Sequence, residues 1–418
     1  MRARVLAVLF ALAAAAPAAA DLRRPLSGCG GYPQRLAVLA DLEAVPAPGS
    51  RNFRRDYLRA FQRRVLARKL EPLHDCLRLD EIQVIGSHNS YHRRPHEPLF
   101  STLASFIPLI GTAWDYEHPP LDLQFGVEGV RQIELDVFAD PEGGRYASRL
   151  GPAAVGLPTA SGVPALDQPG MKVLHVQDLD FETTCYTLRA CLETVVAWSD
   201  ANPRHLPILI LLELKDERVE PDFGWVVPIP FGPEEMDDLD AEIRAVVPRH
   251  KLVTPDDVRG RRATLDEAIR RDGWPALGRL RGTLLFAMDN GGSKRAIYTD
   301  GRPSAEGRVL FPNAVEGAPD AAFIKLNDPI GDFARIQAAV AAGYLVRTRA
   351  DADTVEARLG DTGPRDAALA SGAQFVSTDY PEPDPRFGTG YEVSFPGETV
   401  ARCNPVSAPR GCAAVWLE

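Results

Sequence analysis

The 418-residue chain is short of positive charge, with 47 Lys and Arg against 57 Asp and Glu, and it holds only 8 His, 5 Trp and 4 Met. A surface of this sign repels nucleic acid phosphates, so no nucleic acid partner is expected. It also disfavours strong adsorption to anionic membranes by charge alone, which leaves any lipid contact to local features. Long apolar runs are missing except at the start, MRARVLAVLFALAAAAPAAAD, where two arginines precede an apolar stretch ending in small residues at Ala20. That is the pattern of a cleavable secretory signal over residues 1–20. The stretch is short for a membrane span and Asp21, Arg23 and Arg24 follow it at once, so no transmembrane segment is expected after its removal. Loss of Arg2 and Arg4 leaves 45 basic against 57 acidic residues, a balance of −12.

Cysteine is scarce as well, with six present, Cys29, Cys76, Cys185, Cys191, Cys403 and Cys412, and export to an oxidising compartment disfavours thiolate metal sites. In a secreted or periplasmic chain they read as disulfides. Fifteen pairings are open to six cysteines; proximity suggests Cys185 with Cys191, Cys403 with Cys412, and Cys29 with Cys76.

What the chain does have is a repeating alternation. The runs IQVIGSHNSY, RQIELDVF, MKVLHV, PILILLELK, TLLFAMD, AAFIKLND, YLVRTRAD and QFVSTDY are β-rich and end in polar residues. Between several of them lie helical patterns such as CYTLRACLETVVAWSDA, EEMDDLDAEIRAVV and FARIQAAVAAG. Eight strands alternating with helices predict an α/β fold, a TIM-like (β/α)8 barrel with its functional residues at the C-terminal strand ends. Long insertions follow strands one and two, at residues 92–129 and 139–170. The first contains LFSTLASFIPLIGTAW, an apolar segment whose expected role is to cover the barrel mouth or pack on a neighbouring helix, with lipid contact as the minority alternative. The expected division is a helical extension at 21–79 with an amphipathic helix at 52–70, the barrel at 80–387, and a disulfide-pinned tail at 388–418.

Strand one ends in His88 and Asn89, an imidazole beside an amide oxygen that can ligate a hard cation. On strand two Glu134 and Asp136 are two apart, so both carboxylates point to one side. Strand four adds Glu213, with Lys215 on the same face. Three carboxylates and an amide oxygen make an all-oxygen set suited to Ca²⁺, without the His or Cys density expected for zinc. Salt bridging to Arg131 or Lys215 is the purely structural alternative. Strand three puts His175 at its end, giving two histidines for acid and base work. Asp178 and Asp180 follow, either to orient an imidazole or to cap the next helix. Lys215, Lys325, Arg347 and Arg349 fall at strand ends where they could grip a phosphate or sugar hydroxyls, with pairing of one of the two arginines to Asp351 or Asp353 as the alternative. Asp379 and Tyr380 end strand eight and could order His88 or stack on a sugar ring.

The blocks GSHNSYH, IELDVF, LHVQDLDFETTC, WSDANPRHLPI, LLELK and RTRADADT resemble, in order and over residues 80–380, the secreted calcium-dependent phosphoinositide-specific phospholipase C family. The resemblance implies cleavage of phosphatidylinositol-type lipids at a membrane surface to diacylglycerol and inositol phosphate, cyclic or hydrolysed. It makes His88 and His175 the catalytic pair, His88 assisting the inositol 2-hydroxyl or stabilising the phosphorane-like transition state and His175 protonating the leaving diacylglycerol oxygen. It makes Asn89, Glu134, Asp136 and Glu213 the Ca²⁺ ligands, with Glu134 or Glu213 as further candidates for the base. Lys215 and Arg349, with Lys325, Arg347 and Tyr380, become the substrate contacts. A glycerophosphodiester phosphodiesterase is the rival enzyme, but that family opens strand one with an HRG-type motif where this chain has HNS. A non-catalytic barrel that binds a polyol or lipid headgroup is the reading outside enzymes. A monomer is expected.

Overall fold

The computed structural model describes residues 22–43, 71–397 and 399–418. The signal peptide expected at 1–20 and the amphipathic helix expected at 52–70 lie outside these residues. The strands, in chain order, are β1 (Ile82–Ser87), β2 (Gln132–Phe138), β3 (Lys172–Val173), β4 (Ile208–Leu214), β5 (Leu252–Val253), β6 (Leu284–Met288), β7 (Leu310–Phe311), β8 (Phe323–Lys325), β9 (Leu345–Arg349), β10 (Phe375–Thr378) and β11 (Ala401–Cys403).

Parallel pairing runs β5-β6-β4-β2-β1-β10-β9-β8. Beyond β6, β5 lies beside Leu284 and Leu285 while β7 lies beside Phe286 and Ala287, so two short strands share one position. A parallel bridge from Asn313 to Phe323 then joins the end of β7 to β8. The circuit therefore has eight staves, β1, β2, β4, β6, the β5/β7 pair, β8, β9 and β10, and the fold is a TIM-like barrel.

One expected stave is wrong. MKVLHV contributes only β3, which pairs antiparallel to β2 through Val137–Val173 and Phe138–Lys172. The cause is that β4 takes one whole edge of β2, from Gln132 to Val137, while β1 meets the other edge only at Gly86–Gln132. The upper part of that second edge is free, and β3 fills it. The connection after β2 consequently extends to residue 207.

Period-two alternation sorts the strand residues. Ile133, Leu135 and Val137 of β2 and Ile208, Ile210, Leu212 and Leu214 of β4 face outward. They form one core with Leu188, Leu192 and Val195 of helix Leu188–Ala201 and with Met236, Leu239 and Ile243 of helix Pro233–Val246. The opposite set fills the lower barrel with Val84, Leu209, Leu211, Leu285, Phe311, Phe323, Leu345 and Phe375. Continuing up that inner face, the same parity places Glu134, Asp136, Glu213, Asp289, Lys325, Arg347, Arg349 and Asp379 at the C-terminal end. The barrel is thus apolar below and charged above.

The segment after β10 closes against the barrel, with β11 antiparallel to β1 and the Glu418 carboxylate accepting from Arg131 Nε at 3.1 Å. Disulfides join Cys29 to Cys76, Cys185 to Cys191, and Cys403 to Cys412. Among the described residues no helix is long and apolar enough to cross a membrane.

The closed loops differ in length, with sequence separations of 47 for Cys29–Cys76 and 6 for Cys185–Cys191. Loop-closure entropy then assigns about 4 kcal/mol to the first and about 2 kcal/mol to the second. Replacing the Cys29 and Cys76 pair by serine should lower the denaturant midpoint more than the same change at Cys185 and Cys191; equal losses would contradict the ranking.

Candidate active site

At the end of β1 the chain turns sharply, with Asn89 at φ 42°, a left-handed conformation that asparagine tolerates better than most residues. Ser90 fixes this turn to β2: its amide donates to Glu134 O at 2.9 Å and its hydroxyl accepts from Glu134 N at 2.8 Å. Asn89 Nδ2 donates to the Tyr116 hydroxyl at 3.0 Å. That bond fixes the amide, and leaves the buried Asn89 Oδ1 with no hydrogen-bond partner.

Carboxylate oxygens of Glu134, Asp136 and Glu213 lie within 4.8 Å of one another. Asp136 and Glu213 are register partners across the β2–β4 pair. Lys215 Nζ stands 3.4 Å from Asp136 Oδ2 and 3.4 Å from Glu213 Oε1. Both Asp136 oxygens are buried without a hydrogen bond. Burial pushes the Glu134 carboxyl up to about 7 against the pull of Arg347. Burial also pushes Asp136 well above the carboxylate range, with Lys215 opposing and Glu213 and Glu134 reinforcing. Burial lowers the Lys215 ammonium, but Asp136 and Glu213 outweigh it and raise it. Crowded acids with an orphaned amide oxygen make a hard-oxygen donor set that fits Ca²⁺.

His88 Nδ1 donates to Asp379 Oδ1 at 2.8 Å, which turns Nε2 toward Arg349 Nη1 at 3.4 Å. Burial first, and then the Arg349 guanidinium, push the His88 imidazole down to about 3 against the pull of Asp379. Burial raises Asp379, yet His88 and Arg349 hold its carboxyl below the usual range. His175 Nδ1 lies 2.7 Å from Asp180 Oδ2, and His92 Nε2 lies 2.9 Å from the same oxygen. Against its burial, these two histidines bring the Asp180 carboxyl down to about 2. Burial lowers His175, which Asp180 opposes. A ladder of rings links the two ends of the cleft: His88 to Tyr116 at 6.2 Å, Tyr116 to His92 at 4.3 Å, and His92 to His175 at 5.6 Å.

Other expected contacts are placed differently. Arg347 is 1% exposed and bonds Glu134 Oε2, Asn327 Oδ1 and Ser377 Oγ, so it braces the acids from below. Lys325 pairs with Asp289. Arg349 donates from Nε to Asp351 O at 2.9 Å and from Nη2 to Asp379 Oδ2 at 3.2 Å. Tyr380 does not join the site: it follows inward-facing Asp379, so its ring turns outward and packs on Tyr391 and Phe387. Asp180 orients an imidazole instead of capping a helix; the cap is Thr187. His92 and Tyr116 were not foreseen. His92 was visible as the second histidine of GSHNSYH, whereas Tyr116 sits in an aperiodic connection that gives no signal.

A family model described as Phosphoinositide phospholipase C, Ca2+-dependent matches residues 77–405, which include every residue of this site. The chain belongs to this family. The phospholipase is therefore a Ca²⁺-dependent phosphoric diester hydrolase acting on phosphoinositides. No curated protein matches it. Among solved structures, it is similar to a calcium-dependent phosphoinositol-specific phospholipase C from a Gram-negative bacterium, Pseudomonas sp. The identity is 18%, covering 79% of this chain and 97% of that one, with a TM-score of 0.47. A Ca²⁺-dependent phosphatidylinositol-specific phospholipase C from Streptomyces antibioticus shows 19% identity over 73% of this chain and 95% of that one, with a TM-score of 0.44.

Replacing Arg347 by Met would leave the Glu134 carboxylate buried beside two other acids. A loss of about 3–5 kcal/mol in unfolding free energy is expected, as for removal of one partner of a buried pair. Denaturant unfolding of the metal-free protein measures it, and a loss below about 1 kcal/mol would show that Arg347 does not compensate Glu134.

Proposed function

We propose that the phospholipase holds one Ca²⁺ through Asn89 Oδ1 and the carboxylates of Glu134, Asp136 and Glu213, and cleaves phosphatidylinositol-type lipids with His88 and His175 as base and acid. The observation that carries this reading is the buried Asn89 Oδ1, fixed by Tyr116 and partnered by nothing, beside three converging carboxylates. A bound Ca²⁺ supplies charge neutralisation at the phosphate and lowers the pKa of the attacking hydroxyl.

Asp379 keeps the proton of His88 on Nδ1, so Nε2 offers a lone pair to the inositol 2-hydroxyl. The hydroxyl oxygen bonds to phosphorus as its proton passes to His88. The bond from phosphorus to the glycerol oxygen breaks, and His175, oriented by Asp180, gives that oxygen a proton. The products are diacylglycerol and a cyclic inositol phosphate, which water can open to the monoester by the reverse proton transfers. Arg349 and Lys215 border the histidine and the acids respectively, where a phosphate oxygen or a ring hydroxyl would meet them. Lys325 reaches the same mouth from β8.

One chain carries every residue of the site, which supports action as a monomer at a lipid surface. The division into a signal peptide at 1–20, an extension at 21–79, a barrel at 80–387 and a tail at 388–418 accords with export to the medium or periplasm, as do three disulfides and no free cysteine.

Chelation should abolish release of diacylglycerol from phosphatidylinositol, and added Ca²⁺ should restore it. His88→Ala and His175→Ala should each lower kcat by about 10²-fold or more with the fold intact. A substrate with a better leaving group should rescue the His175 variant more than the His88 variant. Equal rescue would remove the distinction between their roles, and faster turnover of glycerophosphocholine than of phosphatidylinositol would overturn the substrate assignment.

A further inference from the structure

From Leu99 to Trp114 the chain carries no charged residue over sixteen positions. It forms two helices, Leu99–Phe106 and Ile110–Ala113, on the C-terminal face of the barrel. Gly111 lets them close on each other, since a Cβ there would lie 3.0 Å from Ala104 Cβ. The base of this hairpin is fixed. Leu99, Phe100 and Ile110 are buried. Thr354 Oγ1 donates to Thr112 O at 2.8 Å. Asp115 accepts from Arg94 Nε, Arg358 Nη2 and Arg386 Nη1 at 2.6, 2.5 and 2.6 Å. The tip is the reverse: residues 105–109 are all exposed, Phe106 by 80% and Leu109 by 62%. A rigidly held hairpin with large apolar side chains in water is a surface that some partner covers.

Its position says which partner. Trp114, at the base, lies edge-on to His175 with ring centroids 5.6 Å apart, so the hairpin borders the cleft itself. On its other flank helix Leu99–Phe106 packs on the turn Gly151–Val155. There Asp178 ties two loops together, accepting from Leu150 N at 2.6 Å and Val226 N at 2.8 Å. Those loops present Leu150 and Phe223, the latter 67% exposed. The apolar arc therefore runs beside the opening through which a diacylglycerol tail must leave the site.

We propose that Phe106, Ile107 and Leu109, extended by Leu150 and Phe223, insert into a phospholipid bilayer and hold the barrel mouth against it. The proposal rests on the lipid-cleaving reading of the cleft. Apolar insertion, not attraction to anionic headgroups, drives the docking. The whole chain carries a net charge of −10. The guanidiniums nearest the hairpin, Arg94, Arg358 and Arg386, are already engaged by Asp115. A dissolved single lipid needs no docking, and reaches the same histidines without it.

The test compares the full-length protein with its Phe106→Ser, Leu109→Ser double variant. Partition onto phosphatidylcholine vesicles containing phosphatidylinositol is measured by sedimentation, and turnover is measured on a short-chain phosphatidylinositol kept monomeric in water. The double variant should partition about tenfold or more weakly while cleaving the dissolved substrate within about twofold of the parent, which also shows that it is folded. Parent partition should change by less than about twofold between about 0.1 and about 1 M salt. Unaltered partition of the variant, or collapse of parent binding in salt, overturns the proposal. So does a parent dimer in solution that the two substitutions dissociate, because the occupant would then be a second copy. A parent that binds vesicles through these residues yet fails to cleave the dissolved lipid would overturn the catalytic reading and leave the docking surface standing.

Discussion

Like charges forced together organise this barrel. Glu134, Asp136 and Glu213 crowd within 4.8 Å because strand parity and the β2–β4 register leave them no other direction. In a medium of low polarity such a group is tolerated only with positive charge close by. Arg347 supplies it from below and Lys215 from the side, and a Ca²⁺ held as proposed would add to them. Much of the upper barrel follows from this requirement, including the depth at which Arg347 is buried and the amide of Asn89 turned by Tyr116.

The two histidines obey a related rule. Each has a carboxylate on its Nδ1 side, Asp379 for His88 and Asp180 for His175, and each therefore presents Nε2 to the cleft. The carboxylates are themselves held: Asp379 by Arg349, and Asp180 by His92, whose own Nδ1 faces Tyr116 O at 3.1 Å. Since Tyr116 also fixes Asn89, it supports the amide and His88 directly, and His175 only through His92 and Asp180. Displacing that ring would disturb both histidines and the amide together.

Much of this was legible in the sequence, and the failures have physical reasons. Seven of the eight β-rich runs are staves, because each combines β-branched residues with a polar C-terminal end. MKVLHV looked the same but only two of its residues pair, and what decides its place is the short β1–β2 pairing, a property of two other strands. The fifth stave was invisible since Leu252–Val253 and Leu310–Phe311 are each too short to show a period. Parity alone separates Asp379 from Tyr380, and counting from Ser377 would have turned the tyrosine outward. Parity does not give depth. Arg347 and Arg349 share a face, but one is sealed against Glu134 and the other reaches His88.

The divided fifth stave has a mechanical meaning. The wall is sewn unevenly, by six pairings between β2 and β4, but by one between β1 and β2, at Gly86–Gln132, and by one bridge between β7 and β8, from Asn313 to Phe323. Side chains stitch both thin joints: Ser90 Oγ accepts from Glu134 N at the first, and Asn313 Oδ1 accepts from Lys325 N at the second. The three acids stand on the β2–β4 seam, while Lys325 on β8 and Asp289 at the end of β6 face each other from either side of the divided stave. The spacing of Asp136 and Glu213 is therefore set by the most densely paired seam of the wall, and across the divided stave the charged layer is joined by the Lys325–Asp289 pair.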